Sequence, residues 1–88
     1  MYVELLTPVN GRKSFYGKAI VKIDSTGETL QSYETDVMRR LPNGKLVRLW
    51  GGWSATTGNH VYAFCGLRKA QWDKMTVGCE YSLYELMN

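Results

Sequence analysis

The chain has 88 residues, and its 11 Lys and Arg side chains against 8 Asp and Glu give a formal net charge of +3. With 44% hydrophobic and 22% charged residues, its composition is that of a globular protein and not of a disordered chain. We expect a single domain over residues 1–88, with one modest core and no room for a large cofactor pocket, which excludes most large enzyme folds. No apolar run approaches the about 20 residues of a membrane span, and residues 1–7 include Glu4, so we expect a cytoplasmic protein without a signal peptide.

The first half of the chain is predicted to form antiparallel strands. Residues 1–6 suit either a short edge strand or an N-terminal extension. Apolar and polar residues alternate over Ser14–Asp24, which predicts a half-buried strand. Residues 24–28 include Gly27, which is free to adopt a positive φ, and alternation resumes over Thr29–Met38. These two strands are therefore predicted to form a hairpin.

The segment Leu41-Pro42-Asn43-Gly44-Lys45 is the strongest local turn signal. Asn-Gly suits a type I′ turn, which requires positive φ at both central residues, and a proline stops the preceding strand from continuing as a central strand. A third strand is predicted over Leu46–Trp50.

Two short helices are predicted after Gly51-Gly52 interrupts that strand. Hydroxyl side chains in the segment 54–57 can accept hydrogen bonds from the free N–H groups of a first turn, which predicts a helix over about Thr57–Cys65. Its apolar residues follow the i, i+3, i+4 pattern, and Gly66 suits the left-handed residue that ends a helix. A second helix, over about Arg68–Met75, would place Trp72 and Met75 on one face.

The last segment, Thr76–Leu86, alternates again and predicts a final strand, with Val77, Cys79, Tyr81 and Leu83 on one side. The predicted fold class is α+β, a small antiparallel sheet of three to five strands with one or two short helices on one face. As an unpaired edge, the final strand could join a second copy of the chain across a two-fold axis, giving a homodimer.

The residue types that carry catalysis are not grouped in the sequence. His60 is the only histidine, and Cys65 lies about 500° further around the predicted helix, on a different face. Even together with Cys79, these residues lack a fourth zinc ligand. Ser54 and Thr57 have no nucleophile motif around them and are better explained as helix caps. We therefore expect no enzyme activity, no cofactor and no metal site.

Basic and aromatic residues alternate along the chain, which fits either of two kinds of partner. Lys or Arg on phosphates and aromatic rings on bases are typical of a nucleic-acid interface, but a charge of +3 is small beside the about six to ten phosphate contacts of a strong binder. Exposed Trp, Tyr and Arg are equally typical of protein interfaces. The candidate partner-binding residues are Tyr33, Arg39, Arg40, Arg48, Trp50, Trp53, Ser54, Thr57, His60, Arg68 and Lys69.

Three segments carry a resemblance to a known family: Ser14-Phe15-Tyr16-Gly17-Lys18-Ala19, then Ser32-Tyr33-Glu34-Thr35-Asp36-Val37, and then Trp50-Gly51-Gly52-Trp53-Ser54-Ala55-Thr56-Thr57-Gly58-Asn59-His60-Val61 with Phe64. They resemble a small uncharacterised family from bacteriophages and mobile elements, with the patterns Ser-Phe-Tyr-x-Lys-Ala, Ser-Tyr-x-Thr-x-Val and Trp-Ser-x-Thr-Thr-x-x-His. The resemblance covers about residues 14–75, and residues 1–13 and 76–88 are expected to be extensions, with edge strands as one form they could take.

The resemblance implies a phage-type accessory protein in the cytoplasm of a host cell. We expect it to bind a host protein, for instance as an inhibitor of a defence nuclease such as a CRISPR effector, that is, an anti-CRISPR protein; a small DNA- or RNA-binding protein is the alternative. Two interpretations of His60 stay open. It could hold the scaffold by reaching a strand carbonyl or Ser54, or it could line a polar binding surface with Ser54 and Thr57 beside Tyr33.

Overall fold

The structure, a computed structural model, describes residues 2–5 and 18–87. Its elements are, in chain order, β1 (Tyr2–Leu5), β2 (Ala19–Asp24), β3 (Gly27–Ser32), β4 (Thr35–Arg40), β5 (Leu46–Arg48), α1 (Ala55–Cys65), α2 (Lys69–Trp72), β6 (Glu80–Tyr81) and α3 (Leu83–Met87).

The strands form one antiparallel sheet in which each strand pairs with its neighbours in the chain, in the order β1-β2-β3-β4-β5-β6. The helices α1 and α2 lie in the connection between β5 and β6. This confirms the predicted α+β fold of an antiparallel sheet with short helices. In the described part of the chain five strands have three or more residues, and β6 adds a two-residue edge.

The core forms between one face of the sheet and the helices. Val21, Leu30 and Met38 are cross-strand partners and share that face. Burial of their side chains with those of the helices supplies most of the driving force for folding. The buried cluster consists of Val21, Leu30, Val37, Met38, Leu46, Val61, Phe64, Leu67, Trp72, Met75 and Leu86.

The β2–β3 turn confirms the prediction made from Gly27, which has φ 132°. The Asp24 carboxylate accepts hydrogen bonds from the backbone N–H and the hydroxyl of Thr26, at 2.8 and 2.6 Å. A Cβ on Gly27 would lie 2.5 Å from the backbone oxygen of Arg40, so glycine is needed both for its φ and for the close approach of β4. Of the predicted strand Ser14–Asp24, residues 14–17 lie outside the described residues.

The single strand predicted over Thr29–Met38 is wrong, because the chain reverses at Tyr33-Glu34 and forms the separate strands β3 and β4. Tyr33 takes φ 55°, the left-handed region that non-glycine residues rarely adopt. Its backbone N–H donates to the carbonyl of Lys18 at 2.6 Å, and its carbonyl accepts from the Gln31 amide at 2.8 Å. These hydrogen bonds, of which the one to Lys18 is non-local, hold a turn that its residue types do not signal.

The turn at residues 41–45 is also of a different kind from the predicted type I′. Gly44 has φ 86°, but Asn43 is not among the residues with positive φ. The backbone N–H of Gly44 donates to the carbonyl of Leu41 at 2.8 Å, so Pro42 and Asn43 are the central residues and the glycine follows them. Proline at the first central position fits this turn, since its fixed φ is already the one required.

Helix α1 begins at Ala55, two residues earlier than predicted, and its end at Cys65 with Gly66 as a left-handed cap is confirmed. Ser54 is the N-cap: its hydroxyl accepts a hydrogen bond from the Thr57 N–H at 3.1 Å. Helix α2 is a single turn, much shorter than the predicted Arg68–Met75. The predicted burial of Trp72 with Met75 nevertheless holds, because the chain after α2 keeps both against the core.

The strand predicted over Thr76–Leu86 is wrong. Only the two residues of β6 pair with β5, and α3 follows. Ser82 and Glu85 cap α3 reciprocally: the Ser82 hydroxyl accepts from the Glu85 N–H, and the Glu85 carboxylate accepts from the Ser82 N–H, both at 3.1 Å. This Ser-x-x-Glu signal overrides the alternation, so Leu86 is buried while Val77 is exposed. The expectation of dimerisation through a long edge strand here loses its basis.

Candidate functional site

The eleven candidate residues do not form one surface. The structure divides them among the inner face of the sheet, a buried polar cluster beneath α1, the outer face of the sheet, and an open groove along α1. Two candidates belong to none of these: Trp50 is half-buried against the core, and Ser54 is the exposed N-cap of α1. Each location decides what its side chains can do.

Arg48 lies on the inner face and binds the backbone around α2. Its Nε donates to the carbonyl of Trp50 at 2.8 Å, and its Nη2 to that of Gly51 at 2.9 Å. Its Nη1 donates to the carbonyls of Trp72 and Met75, at 3.0 and 3.1 Å, and the guanidinium lies 4.5 Å from the centre of the Trp72 ring. A guanidinium engaged in this way joins β5 to the α2 segment and is not offered to a partner.

The neighbouring residues Arg39 and Arg40 point to opposite faces of β4, as successive residues of a strand do. On the inner face, Arg40 donates to the Glu28 carboxylate at 2.9 Å and to the Phe64 carbonyl at 3.1 Å, with its guanidinium 4.4 Å from the Phe64 ring centre. On the outer face, Arg39 donates to the Thr26 carbonyl and hydroxyl, at 2.8 and 3.0 Å. The pair therefore does not form a local cationic patch.

His60 belongs to a buried polar cluster between α1 and β3. Its Nδ1 lies 2.7 Å from the Ser32 hydroxyl, which lies 3.1 Å from the hydroxyl of Thr57. His60 is 1% exposed and Ser32 is 2% exposed, and desolvation lowers the pKa of His60. The scaffold interpretation named Ser54 or a strand carbonyl as the partner; the structure instead places Ser32 at the Nδ1 atom. Tyr33 lies beside the cluster, with its ring centre 6.0 Å from that of His60.

A serine hydroxyl at 2.7 Å from an imidazole nitrogen has the spacing of a nucleophile and its base. Burial nevertheless decides its role here, because a substrate would have to reach an Oγ atom on a residue that is 2% exposed. The cluster satisfies polar groups that the core would otherwise leave unpaired, and it fixes α1 against β3. Ser32 was missed as a partner because nothing in its local sequence indicates contact with a residue 28 positions away.

An open groove runs beside α1 and the chain leading into α2, with a volume of about 620 Å³. Trp53 lines one side, and its ring lies directly against the backbone at Gly58, where a Cβ would collide with it. Tyr62 adds apolar surface, and the fully buried Leu67 lies beneath the lining. We call this feature the α1 groove, and its lining residues are Trp53, Ala55, Gly58, Asn59, Tyr62, Leu67, Arg68 and Lys69.

The α1 groove has a basic rim. The Arg68 guanidinium stacks on the Tyr62 ring, 4.4 Å from its centre, and is not part of any ion pair formed within residues 2–5 and 18–87. Lys69 is paired with Asp73 at 2.8 Å, although both side chains are more than half exposed. Arg68 is therefore the groove's available guanidinium, pre-oriented by an aromatic ring.

Three of the sequence candidates, Trp53, Arg68 and Lys69, are thus brought together, and Tyr62 is a further lining residue that the sequence candidates did not include. Helical spacing could have found it, since residues 55, 58, 59 and 62 form one stripe at intervals of three and four. The stronger apolar pattern in α1 is that of Val61 and Phe64, which are buried and mark the core-facing side of the helix.

Cys65 is not available for chemistry. Burial raises the pKa of its thiol to about 11, and the thiol contacts the sulfur of Met38 at 3.7 Å. No three His, Cys, Asp or Glu side chains among the described residues are placed to hold a metal ion. None of the helices in that same part of the chain is long and apolar enough to cross a membrane.

Comparison with known proteins places residues 3–77 in a family of unknown function, DUF8033, whose family model they match. No curated protein matches the chain. No solved structure matches it either.

Proposed function

Since the chain belongs to this family of unknown function, we propose a role from its surface. The protein is non-enzymatic and acts by binding another protein through the α1 groove. The observation that carries the proposal is the groove's lining: half-buried aromatic rings form the floor and Arg68 stands at the rim beside them. Aromatic residues and arginine in a partly desolvated depression are the composition of binding hot spots at protein interfaces.

Two further observations support binding over catalysis. The Ser32–His60 pair, the arrangement closest to a catalytic dyad, lies beneath α1 and is closed to solvent. The Cys65 thiol, with its raised pKa, stays protonated at neutral pH. These side chains stabilise the scaffold on which the α1 groove is displayed.

The distribution of charge supports a protein partner over a nucleic acid. Arg40 and Arg48 are committed to the inner face, and Arg39 lies on the outer face. The α1 groove retains Arg68 and Lys69, of which Lys69 is already paired with an aspartate. A nucleic-acid interface needs several cations in one track, so DNA or RNA binding remains the second candidate function.

The partner class that we propose is a host protein in the bacterial cytoplasm, such as a CRISPR effector or another defence nuclease. Its support is the resemblance to small phage proteins, together with the size of the chain. Co-expression with a CRISPR effector in a plasmid-clearance assay tests this class: we expect the plasmid to survive when the protein is present. Unchanged clearance across the effector types would reject the anti-CRISPR assignment.

The binding function itself is tested by capture from a bacterial lysate, with and without nuclease treatment. We expect one stoichiometric host protein that survives the nuclease and is lost with the double variant Arg68→Ala/Lys69→Ala. Lys45 is an exposed cation on the β4–β5 turn, so Lys45→Ala is the control and should retain the partner. Recovery only of material that disappears on nuclease treatment would favour the nucleic-acid candidate, and full retention by the double variant would reject the α1 groove as the binding surface.

A further inference from the structure

Resting on the proposed function, we propose that the α1 groove takes a short segment of the partner chain that carries one acidic residue. An aromatic or leucine side chain of that segment lies on the floor, and the neighbouring carboxylate binds Arg68.

The floor can accept an apolar side chain. Gly58 lets the Trp53 ring approach the α1 backbone closely, and the Trp72 ring packs against the Trp53 ring with the two ring centres 6.2 Å apart. Tyr62 bounds the same space, and about 620 Å³ lies open between the lining residues. A rigid aromatic wall gives contact area with little loss of side-chain entropy, which suits an anchor for one bulky residue.

The rim selects a carboxylate. The guanidinium carbon of Arg68 lies over the Tyr62 ring, 4.4 Å from its centre, and a cation held in this way still has N–H donors for an acceptor. No carboxylate of the described residues is paired with it. A planar fork of N–H donors matches the two oxygens of an Asp or Glu side chain, so one bidentate contact completes the site.

The charge of the α1 groove limits the ligand to a short acidic segment. Lys69 is partly neutralised by Asp73 at 2.8 Å, so the site offers about one uncompensated positive charge. One carboxylate balances that charge, whereas a strand of nucleic acid would bring a phosphate for every stacked base. A peptide with a single acid beside its anchor is therefore favoured over an oligonucleotide.

The test is selection from a random dodecapeptide display library on the folded protein, followed by binding measurements with the enriched peptides. We expect enriched peptides to share an Asp or Glu close to an aromatic or leucine residue. Their Kd should rise at least about tenfold for Arg68→Gln, since a charge-assisted hydrogen-bond pair is lost. Arg68→Lys should fall between, because it keeps the charge and loses the planar fork.

Lys45→Gln is the matched control: it removes the same charge outside the groove and should leave Kd unchanged. Thermal melting of each variant confirms that it is folded. Three outcomes of the selection overturn the inference: enriched peptides without an acid, no enrichment at all, or equal peptide binding by wild type and Arg68→Gln. The inference also fails if a labelled dodecathymidylate binds more tightly than the peptides and its binding depends on Arg68. If a host protein is captured through Arg68 while acidic peptides fail, the inference is lost and the proposed function stands.

Discussion

Arg48 satisfies four backbone carbonyl groups, those of Trp50, Gly51, Trp72 and Met75, and also stacks on the Trp72 ring. Removing the guanidinium would take a donor from each of these carbonyls, of which those of the buried residues Trp72 and Met75 are the most costly to leave underbonded. We expect Arg48→Ala to lower the free energy of unfolding by about 2–4 kcal/mol, the range for breaking a partly buried hydrogen-bond network.

Chemical denaturation of Arg48→Ala beside Lys45→Ala checks this expectation. Lys45 is exposed, and its side chain has no hydrogen bond or ion pair within the described residues, so its loss should change stability by no more than about 0.5 kcal/mol. Equal stability of the two variants would show that Arg48 does not hold α2 to the sheet.

His60 makes stability depend on pH. Its pKa is lowered below the usual 6.5 by desolvation, so the folded state favours the neutral ring and the unfolded state binds the proton more readily. The stability that the neutral His60 ring contributes is fully present above pH 6.5. It is lost progressively as the pH falls from 6.5 through the folded-state pKa. We expect the free energy of unfolding to fall between about pH 7 and 5.

His60→Gln tests this dependence, because His60 is the only histidine in the chain. The variant should be less stable at neutral pH, through the lost contact with Ser32, and its stability should change less between about pH 7 and 5. Asp24 and Glu85, whose pKa values are lowered by hydrogen bonds from Thr26 and Ser82, act at more acidic pH and should be unaffected. Parallel pH profiles for wild type and variant would contradict the assignment.

At the scale of elements, the hairpins are held by glycines in two different situations. Gly27 and Gly44 both have positive φ, 132° and 86°, but a Cβ on Gly27 would meet the Arg40 backbone at 2.5 Å, whereas a Cβ on Gly44 would meet nothing within 4 Å. We expect Gly44→Ala to cost about 1 kcal/mol from backbone strain alone and Gly27→Ala to cost at least about 1 kcal/mol more.

Thermal unfolding of the two alanine variants provides the measurement. Because the two variants share the substitution, the difference in melting temperature reports the close approach of β4 to the β2–β3 turn together with the more strained φ of Gly27. Equal melting temperatures would mean that β4 can move away at no cost, and that the packing of Gly27 does not set the register.

At the scale of the whole molecule, the basic residues are spread over faces that one nucleic-acid strand cannot contact together. Arg39 lies on the outer face, Arg48 on the inner face and Arg68 beside the α1 groove. We expect binding to single-stranded DNA to be weak, with a log–log salt slope of magnitude about 2 or less, equivalent to two or three phosphate contacts. Fluorescence anisotropy over a salt series measures it, and a slope of about 5 or steeper would favour the nucleic-acid candidate.

Much of the architecture followed from local patterns in the sequence. Alternation predicted β2 from Ala19 onward, and helical spacing with Gly66 predicted the end of α1. The positive φ of Gly27 was anticipated for the same reason. These features depend on a few adjacent residues, whose periodicity and φ preferences act whatever the rest of the chain does.

Other features depended on partners distant in the chain. The turn at Tyr33 is held by the Lys18 carbonyl, and the register shift beyond Leu30 follows from pairing of β3 with β4. The position of Ser32 at His60 joins residues 28 apart. Local sequence patterns do not specify such contacts, because the contacts form only when the sheet and the helix come together.

The candidate site shows the same division. The sequence by itself determined which kinds of side chain the protein has for binding: aromatic rings and cations, among them Trp53 and Arg68, on a small α+β fold. Only the tertiary structure decided which of them are available to a partner. It placed Arg40 and Arg48 inward, where their guanidinium groups donate to backbone carbonyls near the ends of α1 and α2. It left Arg68 beside an open groove, because the ring on which it stacks lies on the side of α1 that faces away from the core.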